Sequence, residues 1–499
     1  MTVAERSTWV AGSALGFGPD QPRRMLIGGQ WAEGETGETI DVVDPSTGTM
    51  IAAIQRGGAS DVNRAVAAAR AAFEDGDWNK LNGTARERLM HRLADLVEAH
   101  ADEFALLEAL DGGKPLATAR QADVLGSVAR LRYVAGWAPR LHGHHFDPAL
   151  PLDMHCYTRR EACGVAGLIV PWNFPLAMAI SKLGDALAAG CTVVLKPSEL
   201  TSLATLRLGE LIAQAGIPDG VVNIVTGYGA EVGQALADHD DVDKISFTGS
   251  TRVGKQLVRS AAGNLKRLTL ELGGKSPAIV FADADPEFAV RGVLRNFTYN
   301  SGQICAAGSR VFIHRSLYDR FVADLADAAS SIPLGPATAP ATQMGPLVSK
   351  EQQDRVAGYI AGGVEAGATI VIGGKPTTSE GYFLAPTILA DTQPDMAVRR
   401  EEIFGPVATV TPFDDDNLAA LAREANDTEY GLSSYVYTRD LATAHRAARL
   451  IRAGTVRVNA AALDHMMPFG GYKQSGWGRE NGQEGVLSFT ELKTVIMAL

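Results

Sequence analysis

Between residues 164 and 261, short β-rich runs alternate with longer runs of helical apolar spacing, and this alternation restricts the fold more than any other feature. Strands are expected at 165–170, 192–196, 221–225 and 243–247. Helices are expected at about 176–189, 201–215, 230–238 and 251–261. Such strand–helix–strand units build a parallel, doubly wound sheet, whose ligands sit at the carboxyl ends of the strands. A second series begins at 276–281 and runs through helix 286–300, strand 310–314 and helix 316–330. After a proline-rich loop at 333–346 it resumes with helix 349–366 and strands near 369–372, 407–411, 434–438 and 455–458. The expected class is α/β with two doubly wound units, and the 499 residues are enough for both.

Short β pieces and turns fill 25–55, with a strong turn signal at 44–48 (Asp-Pro-Ser-Thr-Gly). Three helices follow. The first starts near Ser60 or Asp61 and carries Val62, Ala65, Val66 and Ala69. The second pairs Thr84 with Glu87 as a capping box ahead of Leu89, Leu93, Leu96 and Val97. The third covers 115–137, and a strand follows at 154–161. Near the end, 486–497 reads as β and is apolar at Val486, Leu487, Phe489, Leu492, Val495 and Ile496, which calls for a partner surface. Residues 1–24 read as a loosely ordered tail without the features of a secretory signal.

Charge and composition remove some classes of function. A net charge of −11 argues against a nucleic-acid partner. No apolar run approaches the ~18 residues of a membrane span, so no membrane is expected. Cys156, Cys163, Cys191 and Cys305 show neither disulfide-framework nor zinc spacing. A reducing intracellular compartment, the cytoplasm, fits them best.

One of these cysteines lies in an unusual stretch. Residues 300–310 (Asn-Ser-Gly-Gln-Ile-Cys-Ala-Ala-Gly-Ser-Arg) present Cys305 between glycines, after a helix-like run and before a strand-like one. A lone cysteine is most often a small core hydrophobe; in a positive or dipolar environment its thiol pKa falls and it becomes a nucleophile. Residues 270–277 (Leu-Glu-Leu-Gly-Gly-Lys-Ser-Pro) place Glu271 among apolar neighbours, where a carboxyl pKa rises into the range of a general base. In 171–175 (Pro-Trp-Asn-Phe-Pro) two prolines fix a turn that holds Asn173 at a strand end, so that its amide can donate to a developing alkoxide. Residues 227–233 (Gly-Tyr-Gly-Ala-Glu-Val-Gly) give GxGxxxG rather than GxGxxG and lack the later acidic residue, so they are weak as a dinucleotide fingerprint. Residues 247–250 (Phe-Thr-Gly-Ser) open a helix whose N-terminus suits a pyrophosphate, and a plain Ser250 cap is the other reading. At 196–199 (Lys-Pro-Ser-Glu), Pro197 stops the strand and leaves Lys196 and Glu199 at its carboxyl end.

These blocks resemble the active-site and cofactor signatures of the NAD(P)-dependent aldehyde dehydrogenase superfamily, and the likeness runs from about Met25 to Leu499. The resemblance implies an aldehyde dehydrogenase-like α/β fold with a β oligomerisation arm. It implies an NAD-binding domain (25–138 and 162–273), a catalytic domain (274–473) and oligomerisation segments (139–161 and 474–499). Cys305 is then the nucleophile, Glu271 the general base, and Asn173 with the Cys305 N–H the oxyanion donors. The aldehyde passes through a thiohemiacetal and a thioester to a carboxylic acid, and no metal is needed.

Lys196 and Glu199 are expected at the adenine-side ribose, and Gly249 and Ser250 at the pyrophosphate. From the block 401–407, Glu402 is expected at the nicotinamide-side ribose and Phe404 beside the ring. Ile169, Pro171, Trp172, Gly229, Gly233, Phe247, Val253, Leu272 and Gly273 complete the expected NAD contacts; Gln352 and Arg355 match more loosely. Lys182 is a proton-relay candidate or a partner for Asp185, and Glu480 is a second relay candidate. Phe174, Met178, Tyr299 and Phe469 are expected to line an aromatic, mostly apolar substrate tunnel, widened by the small Ser181. Asp464 reads as a contact for a cationic aldehyde or as an exposed loop acid. No charged residue flanks Cys305 to suggest an acidic semialdehyde. The expected partners are a small aldehyde and further copies of the chain, as a homodimer or homotetramer. A CoA-acylating semialdehyde dehydrogenase would dispense with Glu271, and an idle structural protein on this fold would have lost these side chains.

Overall fold

The computed structural model describes residues 21–377, 380–414, 417–460 and 464–499. Most of the expected tail lies outside these residues. By Arg23 the chain is already tied down: its N–H donates to the Ala53 carbonyl at 2.8 Å and its own carbonyl accepts from Gln55 at 3.0 Å.

The first α/β series forms an eight-stranded sheet. From edge to edge it contains Gly476–Trp477, Arg267–Glu271, Lys244–Thr248, Val165–Ile169, Thr192–Lys196, Val222–Ile224, Met25–Ile27 and Gln30–Ala32. The five strands from Arg267–Glu271 to Val222–Ile224 are parallel, and both edges turn antiparallel. Successive strand residues alternate between two cores: Val193 and Leu195 face one, Val194 the other. A sheet covered on both faces in this way requires apolar strands throughout, which explains their near-continuous Val, Ile and Leu content. Strand order reverses between Val165–Ile169 and Lys244–Thr248, so the ligand crevice of this sheet opens beyond Ile169 and Thr248.

The second series forms a seven-stranded sheet: Thr369–Ile372, Thr387–Ala390, Val407–Phe413, Arg310–His314, Pro277–Val280, Ser433–Tyr437 and Thr455–Val458. Its one antiparallel pair joins the first two strands; Thr387–Ala390 was not expected from the sequence. Met154–Ala162 is the centre of a three-stranded sheet, flanked by Thr490–Ala498 and His145–Phe146. Thr39–Asp44 and Thr49–Gln55 form a separate hairpin across the expected turn.

Four local expectations need correction. The helix Gly83–Ala99 is capped by Asn82, whose side chain accepts from Ala85 N–H at 3.0 Å; Thr84 and Glu87 lie inside it and form no capping box. The helix expected at 115–137 is interrupted by a π turn over Ala119–Leu125. The wider turn carries Asp123 inward to Lys114, which also lies 3.7 Å from Glu108. Residues 229–233 form another π turn, Gly229–Gly233, before the short helix Gln234–Asp238. Val486 and Leu487 end the helix Gly482–Leu487, and the terminal strand starts only at Thr490.

Candidate active site

Helix Pro286–Thr298 starts on Asp285, which accepts from Phe288 N–H at 3.1 Å, and ends in a turn that sets the position of Cys305. In that turn Asn300 and Ser301 adopt φ +49° and +55°, and Gly302 follows at +72°. Two non-glycine residues there cost about 1 kcal/mol or more each, so the surroundings must hold them. The Asn300 amide donates to the Asn173 carbonyl at 3.0 Å and the Ser301 hydroxyl to Gly345 at 2.8 Å. Gly302 abuts the Gly405 backbone so closely that a Cβ would lie 2.1 Å from its carbonyl oxygen.

Asn173 lies beyond the carboxyl end of Val165–Ile169, and its side-chain amide donates to the Gln303 carbonyl at 2.8 Å. The next helix, Pro175–Ala189, is fixed at its start by Glu108, which accepts from Leu176 N–H at 2.9 Å. Glu271 is the last residue of Arg267–Glu271. Gly274, just after it, meets the Cys305 carbonyl; a Cβ there would lie 2.2 Å from that oxygen. The two sequence stretches singled out above are therefore packed against each other.

Cys305, Glu271 and Asn173 face one cavity of about 350 Å³. Phe174, Met178, Tyr299 and Phe469 line it as well, and so does Ser181. The Phe174 and Tyr299 rings stack with centroids 6.4 Å apart, and Lys114 Nζ lies 4.1 Å from the Phe174 ring centre.

The Cys305 thiol differs from expectation, while Glu271 follows it. Loss of water, then the Glu402 and Glu271 carboxyls, push the Cys305 thiol up to about 12, where a lowered value was expected. Glu271 is 3% exposed and neither of its carboxyl oxygens has a hydrogen-bond partner. Burial, and then Glu480, hold its pKa well above the ordinary carboxyl range. Lys182 meets Glu480 and lies 3.1 Å from Ser246 Oγ, which is itself 3.2 Å from the same Glu480 oxygen. The two relay candidates thus form one buried pair. Asp185 is claimed instead by Arg130, at 2.9 and 3.0 Å. Asp464 accepts from Met466 N–H at 2.8 Å and is exposed, so it caps its own turn.

The expected cofactor residues gather at the crevice of the eight-stranded sheet. Lys196 is 2% exposed and lies 3.3 Å from Glu199, and its Nζ donates to the Pro197 carbonyl at 2.7 Å. A Cβ on Gly233 would lie 3.7 Å from Lys196 and 4.0 Å from Ile169, while one on Gly229 would meet nothing within 4 Å. Gly249 abuts the Phe247 ring, and Ser250 caps Thr251–Ala261 by accepting from Val253 N–H at 3.3 Å. The cap and an accessible helix N-terminus are therefore compatible readings of one residue.

Glu402 accepts from Gly274 N–H at 2.9 Å, and burial pushes its carboxyl up to about 7. Gly273 has no room for a side chain beside that carboxyl, since a Cβ would fall 2.4 Å from Oε2; Leu272 before it packs against Gly254. Phe404 sits at φ +62°, edge-on to Trp172 with centroids 5.2 Å apart. Gln352 donates to the Phe404 carbonyl at 2.8 Å and Arg355 to the Glu402 carbonyl at 3.0 Å, so both hold this loop. Pro171 completes the turn before Asn173.

The sequence missed Arg130, Arg295, Tyr435 and Arg457, which also line the cavity. None belongs to a signature stretch; only the folded arrangement brings them to Cys305.

Comparison with known proteins finds likeness along almost the whole chain. The family model described as "Aldehyde dehydrogenase family" matches residues 31–495. The chain is 45% identical over 480 residues to a mitochondrial benzaldehyde dehydrogenase of Antirrhinum majus, covering 95% of this chain and 89% of that protein. It is 43% identical over 484 residues to a phenylacetaldehyde dehydrogenase of Pseudomonas fluorescens, covering 96% of each. Among solved structures, the NAD+ complex of an aldehyde dehydrogenase from Bacillus cereus superposes with a TM-score of 0.94 at 43% identity, covering 100% of this chain and 99% of that one.

Proposed function

This chain belongs to the aldehyde dehydrogenase family and is an NAD-dependent enzyme; on that premise we propose that it oxidises aldehydes to carboxylic acids through an acyl thioester on Cys305. The observation that carries this reading is the meeting of Cys305, Glu271 and Asn173 at one cavity.

In the proposed sequence the Cys305 sulfur attacks the aldehyde carbon. The Asn173 amide and the Cys305 N–H then hold the developing oxyanion. Burial favours the protonated thiol, so attack must be coupled to transfer of its proton to a base, either Glu271 at the same cavity or a water beside it. NAD, when bound, supplies the hydride acceptor that turns the thiohemiacetal carbon into a thioester carbon. Glu271 takes a proton from water, whose oxygen adds to the thioester carbon; the C–S bond then breaks, releasing the acid and leaving Cys305 as its thiolate. The Lys182–Glu480 pair, next to Glu271 in charge if not in sequence, passes that proton onward.

The chain's side chains suit NAD. Lys196 and Glu199 offer a donor and an acceptor to ribose hydroxyls at a strand end, and Glu402 offers a second acceptor. The N-terminus of Thr251–Ala261 opens at the same crevice. We assign Phe404 and Trp172 to the nicotinamide side. Glu199 should also disfavour a 2′-phosphate by like charge. With its side chain 29% exposed, the effect is screened, and kcat/KM is expected to favour NAD over NADP by about 10-fold. Glu199→Gln should narrow that ratio, and equal use of both cofactors by the unaltered enzyme would remove Glu199 from this role.

The fitting test of the main reading is NADH formation with simple aldehydes, followed by identification of the acid. No product acid, or NADH formation that depends on CoA, would overturn it.

Assembly into a homodimer or homotetramer is part of the proposal, with residues 139–161 and 474–499 as the assembling segments. Supporting it are the apolar side chains left exposed around the three-stranded sheet: Phe146 (48%), Leu152 (64%), Leu492 (53%) and Ile496 (63%). Deleting 490–499 is expected to lower the mass measured in solution by light scattering. An unchanged mass would show that the strand serves its own chain alone. Among the described residues no helix is long and apolar enough to cross a membrane. We propose a cytoplasmic setting, supported by four cysteines that are all free thiols.

A further inference from the structure

The cavity that holds Cys305 is mostly apolar, yet three arginines interrupt it. Arg130, Arg295 and Arg457 all reach it, and they differ in what they are already doing. Arg130 is neutralised by Asp185. Arg295 and Arg457 have no carboxylate partner among the described residues. The Arg295 side chain has no hydrogen bond among the described residues; its guanidinium lies over the Tyr299 ring, 5.0 Å from the centre. Arg457 lies over the Tyr435 ring at 5.1 Å and donates to the Tyr435 hydroxyl at 2.6 Å, while its Nε is buried without a partner.

Two further facts give these cations a direction. The Tyr435 hydroxyl that accepts from Arg457 itself donates to the Ala306 carbonyl at 3.0 Å, so Arg457 stands one side chain away from the peptide next to Cys305. Arg295 is exposed, one helical turn before Tyr299, and Arg457 is partly buried. One cation therefore lies toward the solvent side of the cavity and the other within it. The carboxyls that share the cavity offset little of this charge. Glu480 is paired with Lys182, and burial favours the neutral form of Glu271. Burial also lowers the pKa of His465, which keeps it uncharged. On a protein of net charge −11, this cavity is locally positive.

A guanidinium presents a planar fork of donors that matches a carboxylate. Resting the proposal on aldehyde oxidation at Cys305, we propose that Arg295 and Arg457 form an anion subsite and that the preferred substrates are aldehydes carrying a carboxylate away from the carbonyl. The aromatic residues pack the connecting atoms, and the tyrosine rings keep both guanidiniums extended toward the cavity.

The test compares matched substrates on the purified full-length enzyme with NAD: 5-oxopentanoate against pentanal, and 4-carboxybenzaldehyde against 4-methylbenzaldehyde. A charge-assisted contact should favour the carboxylate member of at least one pair by ~10-fold or more in kcat/KM. Arg457→Gln, Arg295→Gln and the double variant should shrink that ratio, chiefly through KM of the carboxylate substrate. Arg457→Lys should restore part of it. Arg295 is exposed, so its variant remains informative if Arg457→Gln does not fold. Preference for the neutral aldehyde in both pairs overturns the subsite. So does a loss in the variants that is equal for both members of a pair, because the arginines would then only shape the cavity. NADH from neither member of either pair would count against the dehydrogenase reading itself, whereas NADH from the neutral aldehydes alone counts only against the subsite.

Discussion

Cys305→Ser is expected to reduce steady-state NADH formation by roughly 10⁴-fold or more, as removal of an essential nucleophile commonly does. The buried thiol already sits at about 12, so it needs help to lose its proton. A serine hydroxyl is less acidic and a weaker nucleophile, and the same surroundings would leave it inert. NAD binding, read by quenching of tryptophan fluorescence, and thermal unfolding should stay near those of the unaltered protein, because a serine oxygen is no larger than the sulfur and can accept the same Ala306 N–H. Cys163→Ser is the matching control. Its sulfur lies 3.6 Å from Cys191 at the root of the terminal strand, away from the cavity, so its turnover should persist. Substantial activity in Cys305→Ser together with an inactive Cys163→Ser would move the nucleophile elsewhere.

Glu271→Gln should separate the two halves of the reaction. The carboxamide fills the same space and cannot take a proton, and loss of general-base help costs ~10²–10⁴-fold. If Glu271 acts chiefly on water, rapid mixing with excess NAD should give a burst of at most one NADH per site. Intact mass should then show acylated Cys305, followed by a stall. If neither burst nor adduct appears, its main duty is to take the thiol proton. The pH profile gives an independent check. A raised folded pKa means that Glu271 keeps its proton above the ordinary carboxyl range, so the basic form is gained only as pH climbs through that raised value. Turnover of the unaltered enzyme should accordingly rise with pH, and Glu271→Gln should lose that limb. Full steady-state activity in the variant would take Glu271 out of the mechanism.

How much of this was readable beforehand depended on where the constraint lay. Strands such as 165–170 and 192–196 were readable because a sheet covered on both faces demands apolar residues at every position. Thr387–Ala390 escaped because four residues after a loop carry no period of their own. The π turn at Ala119–Leu125 escaped because its cause, Asp123 turning toward Lys114, is a pairing that helical spacing does not encode. At the site, Cys305, Glu271 and Asn173 stood out because each lies in a block dense in glycine or proline. The glycines are explained by the close contacts of Gly274 with the Cys305 carbonyl and of Gly302 with Gly405. The acidity of Cys305 could not be read in the same way, since it depends on Glu402, far off in sequence, and on exclusion of water. Arg457 and Arg295 went unnoticed because nothing in their local sequence distinguishes them from surface arginines.

The three-stranded sheet has a consequence in time. Thr490–Ala498 pairs with every residue of Met154–Ala162, and Arg160 and Thr490, which hydrogen-bond across it, stand 330 residues apart. At roughly 5–20 residues per second, the ribosome needs about 15–65 seconds to make what lies between. Throughout that interval Met154–Ala162 has an unsatisfied edge, with ladder donors and acceptors open to any neighbouring nascent chain. Arg159, Arg160 and Glu161 put charge near its carboxyl end, a common guard on exposed strand edges. Their value is therefore greatest before the native protein exists, and replacing them with apolar residues would show first as loss of yield during synthesis.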